Sequence, residues 1–495
     1  MYKRPFTRAA VAAALLSLHT CPAIAEQALT DTTILRPSIS TDVQAFTLKG
    51  AITLAQTNYP AAKKARAQVE AAKINVKLQK INEYMPDSLL QYQQIMASHN
   101  KVTQIIYGSP VFPANPGAGP KSVNMEPAFS SGVGFNLDWA PLDFGLHKAR
   151  IQLAGKQYQQ SQAQAVATVF DAKVASAAAF FDVVEAEAQV DAAQENMKAF
   201  DDFRIVVKAQ VDADLKPGAD LSLAEAQLAN ARNQVLRAGL NQDISLAALA
   251  NSVGLGGADV KAITDGLLQD PEQTDNGHPN LHTEPALDTS RVPILKAAAS
   301  SVDTARAQRR VLDKEYYPVL HFMGGVQNRG SNLSLDGTRR TDNNAAGFLP
   351  SIPNYQIGVI VNWNFLDCFR IKQEKRIQDQ RIIAQNLEYE QVLQNIKTES
   401  KQARARLATA ISVARNTPVQ VAAAKQAVSR ALARYKVGLG SVAQVAEANQ
   451  LLAQSRLQDA QAKVGVWRAM LAISTANGDL TPMIAYAETR QRKNR

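Results

Sequence analysis

Asn136-Leu137-Asp138-Trp139-Ala140-Pro141-Leu142-Asp143-Phe144 has a counterpart in Val361-Asn362-Trp363-Asn364-Phe365-Leu366-Asp367-Cys368-Phe369. Trp139, Leu142 and Asp143 fall on Trp363, Leu366 and Asp367 at one offset of 224 residues. Each block closes a segment that alternates. In Phe129 to Trp139 the odd positions are Phe129, Ser131, Val133, Phe135, Leu137 and Trp139, and the even ones are Ser130, Gly132, Gly134, Asn136 and Asp138. In Ile357 to Phe365 the odd positions are Ile357, Val359, Val361, Trp363 and Phe365 against Gly358, Ile360, Asn362 and Asn364. Period two, with one apolar and one small or polar face, predicts strands that meet two different environments. Barrel strands crossing a membrane read this way, with lipid outside and water inside. A soluble sheet with one buried face produces the same alternation.

Outward from these blocks the chain repeats itself. Gly218, Leu223, Ala224, Glu225 and Ala226 align with Gly440, Val445, Ala446, Glu447 and Ala448 at an offset of 222. Two blocks at nearly one offset predict an internally duplicated unit rather than a solenoid of short repeats. Each half reads as a helix (Leu48 to Glu83; Pro293 to Tyr316), two strands, one very long helix, a glycine-containing turn and a last helix. Pro60 and Pro293 suit first helical turns. Leu89 to Ile95 and Val319 to Gln327 are the candidates for the other strand of each pair. Lys156 to Lys216 and Arg370 to Thr417 contain neither Gly nor Pro. Good helix formers dominate both, so each predicts a rod, about 100 Å long at 1.5 Å per residue. Ala supplies 17 of the 69 residues from Leu146 to Asp214, which points to close, alanine-rich coiled-coil packing. Pro418 is expected to kink or interrupt the second rod.

Composition narrows the class. The 495 residues carry 54 Lys+Arg against 44 Asp+Glu, a diffuse +10 without a dense basic block, so nucleic acid is not an expected partner. Two cysteines exclude a disulfide framework. Residues 1–25 read as a signal peptide: Lys3, Arg4 and Arg8, an apolar run from Ala9 to Leu18, and a cleavage site at Ala23-Ile24-Ala25. His19 and Thr20 before Cys21 argue against a lipid anchor. The divisions expected are 1–25 (signal), 26–45 (N-terminal extension), 46–254 (first repeat, strands near 86–95 and 128–140), 255–292 (connecting, equatorial), 293–479 (second repeat, strands near 318–328 and 355–365) and 480–495 (tail). Four strands cannot close a membrane barrel, since about eight is the small limit. If they enter lipid, several copies must combine.

This order of elements, with Trp-x-x-Leu-Asp after a strand in each half and the turn Arg434-Tyr435-Lys436-Val437-Gly438-Leu439-Gly440, resembles the TolC-like outer-membrane efflux factors over about Phe46 to Asp479. The resemblance implies a mainly α protein with a membrane β-barrel: a homotrimer whose single 12-stranded barrel in the outer membrane of a Gram-negative cell continues as a long periplasmic α-helical tube. It implies an export duct of a tripartite efflux or type I secretion system, working with a periplasmic adaptor and an inner-membrane pump or secretion ATPase. No cofactor and no enzymatic chemistry are implied. Trp139 and Trp363 would sit in the interfacial aromatic girdle. Lys216, Pro217 and Gly218, and Val437, Gly438, Leu439 and Gly440, would form the two adaptor-docking tips. The first lacks the Val-Gly-Leu of the second.

In the family the closed aperture uses two acidic residues three apart after the second turn. Those positions are Gln444 and Glu447, so one carboxylate remains. Tyr435 matches a latch tyrosine, but Gly440 stands where the family's arginine partner would be. A secreted coiled-coil protein with a soluble head and no pore is the competing reading. His278 and His282, four apart in a Pro- and Gly-rich segment, lack a third ligand, so no metal site is expected. Gly254, Gly256 and Gly257 read as a helix end rather than a phosphate loop.

Overall fold

The computed structural model describes residues 44–98, 127–264, 267–268, 290–333 and 347–492. The signal segment, Cys21, nearly all of the N-terminal extension, His278 and His282, and much of the loops between paired strands lie outside the described residues. The elements run β1 (Gln44–Phe46), α1 (Leu48–Asn58), α2 (Pro60–Tyr84), β2 (Asp87–Ser98), β3 (Pro127–Leu142), α3 (Leu146–Asp212), α4 (Gly218–Ser252), β4 (Val260–Ala262), α5 (Pro293–Lys314), β5 (Val319–Ser331) and β6 (Ile352–Asn362). A 3₁₀ turn (Phe365–Asp367) leads into α6 (Cys368–Lys436), followed by α7 (Val442–Asn477) and α8 (Thr481–Arg492). The order helix, strand, strand, long helix, helix thus occurs twice.

α3 has 67 residues and α6 has 69. Rods this long need neighbours, because propensity alone contributes little. α3 lies against α2 and α5 on the strand side and against α4 beyond its middle, and α6 does the same with α5 and α7. Alanines fill much of these contacts: Ala149, Ala154, Ala165, Ala167, Ala172 and Ala177 of α3 are all buried. The middle of the rods departs from that pattern. There Phe180 and Phe181 of α3 meet Leu249 of α4 and Trp467 and Met470 of α7, in one core with Leu48 of α1 and Met483 of α8. The Phe181 and Trp467 rings stack with centroids 5.9 Å apart, and Trp467 Nε1–H donates to the Leu267 carbonyl at 2.8 Å.

Three expectations are corrected. The first helix is two, broken at Tyr59: Tyr59 is extended and Pro60 opens α2, because the residue before a proline is driven out of the helical region. Pro418 does not interrupt α6, which runs through it to Lys436. Its side of the rod is held by packing, with Ala414 and Thr417 buried and the Thr417 hydroxyl donating to Asp459 of α7 at 2.6 Å. The segment expected as a tail forms α8. In addition β1 pairs in parallel with β4, so the N-terminal extension and the connecting segment meet as a small sheet at the aromatic core.

The large sheet is antiparallel throughout, in the order β2-β3-β5-β6. Its centre joins the two halves of the chain, and β2 and β6 are its edges. Strands of 11 to 16 residues rise about 3.3 Å per residue, enough to cross the ~25 Å apolar band of an outer membrane.

Candidate functional site

The register sorts the sheet into two faces. Leu90, Phe135, Val326 and Tyr355 form one row across all four strands. With Tyr92, Met96, Leu137, Trp139, Phe322, Ile357, Val359 and Val361 they make a continuous apolar face, and it is the exposed one: Tyr355 is 82% and Ile357 87% accessible. The opposite face has rows such as Gln91, Gly134, Gln327 and Asn354, and Leu89, Asn136, Gly325 and Gln356. There Asn136 is 3% accessible. Gln356 Nε2 donates to Asn136 Oδ1 at 3.1 Å, across Gly325, where a Cβ would come within 3.0 Å of that oxygen. Every charged side chain of the four strands (Asp87, Asp138, Arg329) lies on this face. A water-soluble sheet buries its apolar face; this one is inverted, as a sheet bathed in lipid is.

The strand-to-helix junctions carry the two tryptophans. Trp139 Nε1–H donates to the Tyr84 carbonyl at 3.2 Å, and Trp363 Nε1–H to the Tyr316 carbonyl at 3.1 Å. Both acceptors lie two residues before the proline that introduces a strand. Both indoles are exposed: Trp363 stands against Tyr316 and Phe365, Trp139 against Phe322, and Phe144 stacks on Tyr317, so one end of the sheet is lined with aromatics.

At the far ends of the rods are two turns of one design. After α6, Gly438 N–H donates to Tyr435 O (3.0 Å) and Leu439 N–H to Arg434 O (2.9 Å), with Gly438 at φ +82°. After α3, Asp214 N–H donates to Val211 O (2.9 Å) and Leu215 N–H to Gln210 O (2.9 Å), with Asp214 at φ +59°. Both are Schellman closures. Leu215 and Leu439 follow the left-handed residue and are each 72% accessible. Ala213, Asp214 and Leu215 are therefore the geometric counterparts of Val437, Gly438 and Leu439, at an offset of 224 rather than 222. Gly218, expected as the turn glycine, is instead the first residue of α4, with Pro217 as its N-cap. Sequence reading missed this because Asp214 does not look like a left-handed residue, although Asp tolerates that conformation better than most.

Residues 289–479 match the model of the family described as outer membrane efflux protein. The second half of the chain is thus similar to that family. No curated protein sequence matches it. Among solved structures the fold is shared with CusC (18% identity, TM-score 0.68, covering 87% of this chain and 92% of that one). It is shared with the CmeC outer membrane channel of Campylobacter jejuni (16%, 0.68, 90% and 89%) and with the outer membrane protein VceC of Vibrio cholerae (16%, 0.66, 87% and 96%).

The candidate aperture residues have separate surroundings. Tyr435 is fully buried, packed edge-on to Phe203 of α3 (5.3 Å) and under Lys216 Nζ (5.3 Å from the ring centroid). Its hydroxyl has no hydrogen-bond partner among the described residues. Burial, then the charge of Asp220, push its pKa above the usual phenol value. Gly440 leaves room for this arrangement, since a Cβ there would lie 3.1 Å from the Tyr435 nitrogen. Gln444 is used locally: it completes a capping box with Ser441 at the start of α7. Glu447 is exposed one turn further on and pairs with no described residue. The structure thus does not join Tyr435, Gln444 and Glu447 into one cluster within a protomer. Cys368 is a free thiol at the start of α6. Gly254, at φ +79°, is a helix end as expected, and a Cβ there would lie 2.7 Å from the Asn58 carbonyl oxygen.

Proposed function

We propose that this chain is the exit duct of an export machine spanning the envelope, with three copies closing a 12-stranded barrel in the outer membrane and their helices forming a periplasmic tube. The observation that carries this reading is the inverted sheet. Its apolar face is exposed, and β2 and β6 leave unpaired edges, which lipid does not tolerate. β2 runs antiparallel to β6 across the sheet order, so the β6 edge of one copy can accept the β2 edge of the next and keep the ladder antiparallel. Each copy adds four strands. The resemblance supports three copies over two.

A periplasmic adaptor would dock at the tips, with an inner-membrane pump or secretion ATPase driving transport. Val437 and Leu439 at one tip, and Leu215 at the other, offer exposed apolar knobs for such a partner. Lys216 and Pro217 stiffen the approach to α4. The tube performs no reaction and holds no cofactor in this reading. Glu447, repeated by symmetry, would ring the closed end with carboxylates that favour cations.

Conductance of the purified protein in a planar bilayer tests the proposal. A small, stable, cation-favouring conductance is expected, and Glu447→Gln should reduce its cation selectivity. A detergent-free soluble oligomer that stays silent even with its second tip loosened would instead support a coiled-coil protein without a pore. Unchanged selectivity in Glu447→Gln would remove the carboxylate ring while leaving the channel.

A further inference from the structure

Where β3 passes into α3, three elements meet around His147. Its Nδ1 hydrogen-bonds Glu83 at the end of α2, and its Nε2 faces the Ala140 carbonyl at the end of β3 at 2.7 Å. Asp143 caps the start of α3, its Oδ1 accepting from Gly145 N–H at 3.0 Å and its Oδ2 from His147 N–H, and that carboxylate lies 3.6 Å from His147 Nδ1. Arg150 reaches Glu83 at 3.5 Å. From α5, Lys314 approaches the turn beside Gly145; the Tyr84 ring stands 6.2 Å away, and Lys148 points to solvent. His321 on β5 is engaged elsewhere, with Asp138. The side chains of Glu83, Asp143 and His147 are all largely buried.

We propose that His147 is a proton-operated pin locking the barrel strand β3 to helices α2 and α3. Both ring nitrogens face oxygen acceptors. A neutral imidazole has one N–H and can satisfy one of them, leaving its other nitrogen lone pair against an oxygen. The imidazolium satisfies both. It also balances the charges, since Glu83 and Asp143 then face His147 and Arg150; the neutral ring leaves a largely buried net negative charge. Burial opposes the charged ring, but the hydrogen bonds to Glu83 and Ala140 and the fields of Asp143 and Glu83 outweigh it and hold the pKa above its usual value. The contribution to stability is therefore complete below the ordinary histidine pKa and is lost as pH rises through the raised one.

The other junction has no such device. Ile371, buried, occupies the position of His147, and Asp367 pairs with Arg370 at the surface instead of capping α6. One of the two strand-to-helix joints in each protomer is thus pH-sensitive and the other is not. In the periplasm, whose pH follows the medium, alkaline conditions would loosen one joint of each protomer.

Hydrogen–deuterium exchange of the full-length oligomer in detergent, corrected for intrinsic rates, tests this. Between pH 6 and pH 9, exchange at residues 80–86 and 138–150 should rise at least about threefold, while residues 314–318 and 362–372 stay level. His147→Gln should exchange at the high rate at both pH values. Glu83→Gln, a milder change that keeps an acceptor, should move the rise to lower pH, and it serves if His147→Gln does not fold. A flat wild-type profile, a rise that survives in His147→Gln, a rise in Glu83→Gln at the wild-type pH, or an equal rise at the second junction would overturn the pin. None of these readings depends on whether the oligomer conducts.

Discussion

Tyr435→Phe separates two accounts of the tip. If Tyr435 holds the tip shut through its hydroxyl, removing that oxygen loosens the tip. The structure indicates the reverse. The hydroxyl is buried with no partner among the described residues, and an unsatisfied buried polar group costs about 1–3 kcal/mol. Phenylalanine keeps the edge contact to Phe203 and an aromatic ring beneath the half-buried Lys216, so only a part of a cation–π contact worth about 0.5–1 kcal/mol is lost. The net expectation is about 1 kcal/mol of added stability per protomer, roughly a fivefold fall in the local opening equilibrium. Tyr435→Ala removes the ring as well and should cost about 3–5 kcal/mol, as other buried aromatic truncations do. Single-channel recording in planar bilayers reads both, with exchange of tip amides as a second measure. The phenylalanine variant should open no more often than wild type, and the alanine variant far more often. A phenylalanine variant as open as the alanine variant would refute the reasoning and give the hydroxyl a working bond.

Gly254→Ala should cost about 2–4 kcal/mol by thermal melting, since the left-handed conformation is strained and the new Cβ would sit 2.7 Å from the Asn58 carbonyl. Gly257→Ala, at φ +85° in open space, should cost only about 1–2 kcal/mol, and equal effects would show that the contact with Asn58 is not what matters. At the tips, Gly438→Ala should destabilise by about 1–2 kcal/mol and Asp214→Gly should stabilise by up to about 1 kcal/mol; chemical denaturation with local exchange readout would expose a wrong sign in either. Trp139→Phe and Trp363→Phe each remove one indole hydrogen bond, about 1 kcal/mol, and should lower the heat resistance of the oligomer on gels by similar amounts.

Much of this architecture is legible along the chain, because its causes are local. Helix-forming runs without Gly or Pro specify most of α3 and of α6 wherever they pack, and period-two alternation specifies β3 and β6. Proline before a strand and glycine after a helix mark ends for steric reasons within two or three residues. The aromatic pair Trp139 and Trp363 announces the repeated junction by itself.

What the tertiary structure alone decided are matters of partner. Alternation cannot say which face meets which solvent; the register and exposure of rows such as Leu90, Phe135, Val326 and Tyr355 do. Sequence matching set Gly218 on Gly440, whereas the hydrogen bonds of the turns set Asp214 on Gly438, because a turn is defined by which carbonyl each N–H reaches. The burial of Tyr435 was not legible either, since Phe203, which covers it, lies far from it in sequence. Pro418 read as a break and is bridged by the packing of α6 on α7. The His147 pin depends on Glu83, 64 residues earlier, and only folding brings the two together. Backbone preference is set within a few residues and can be read from them; solvent, burial and charge pairing are set by what the rest of the chain brings alongside.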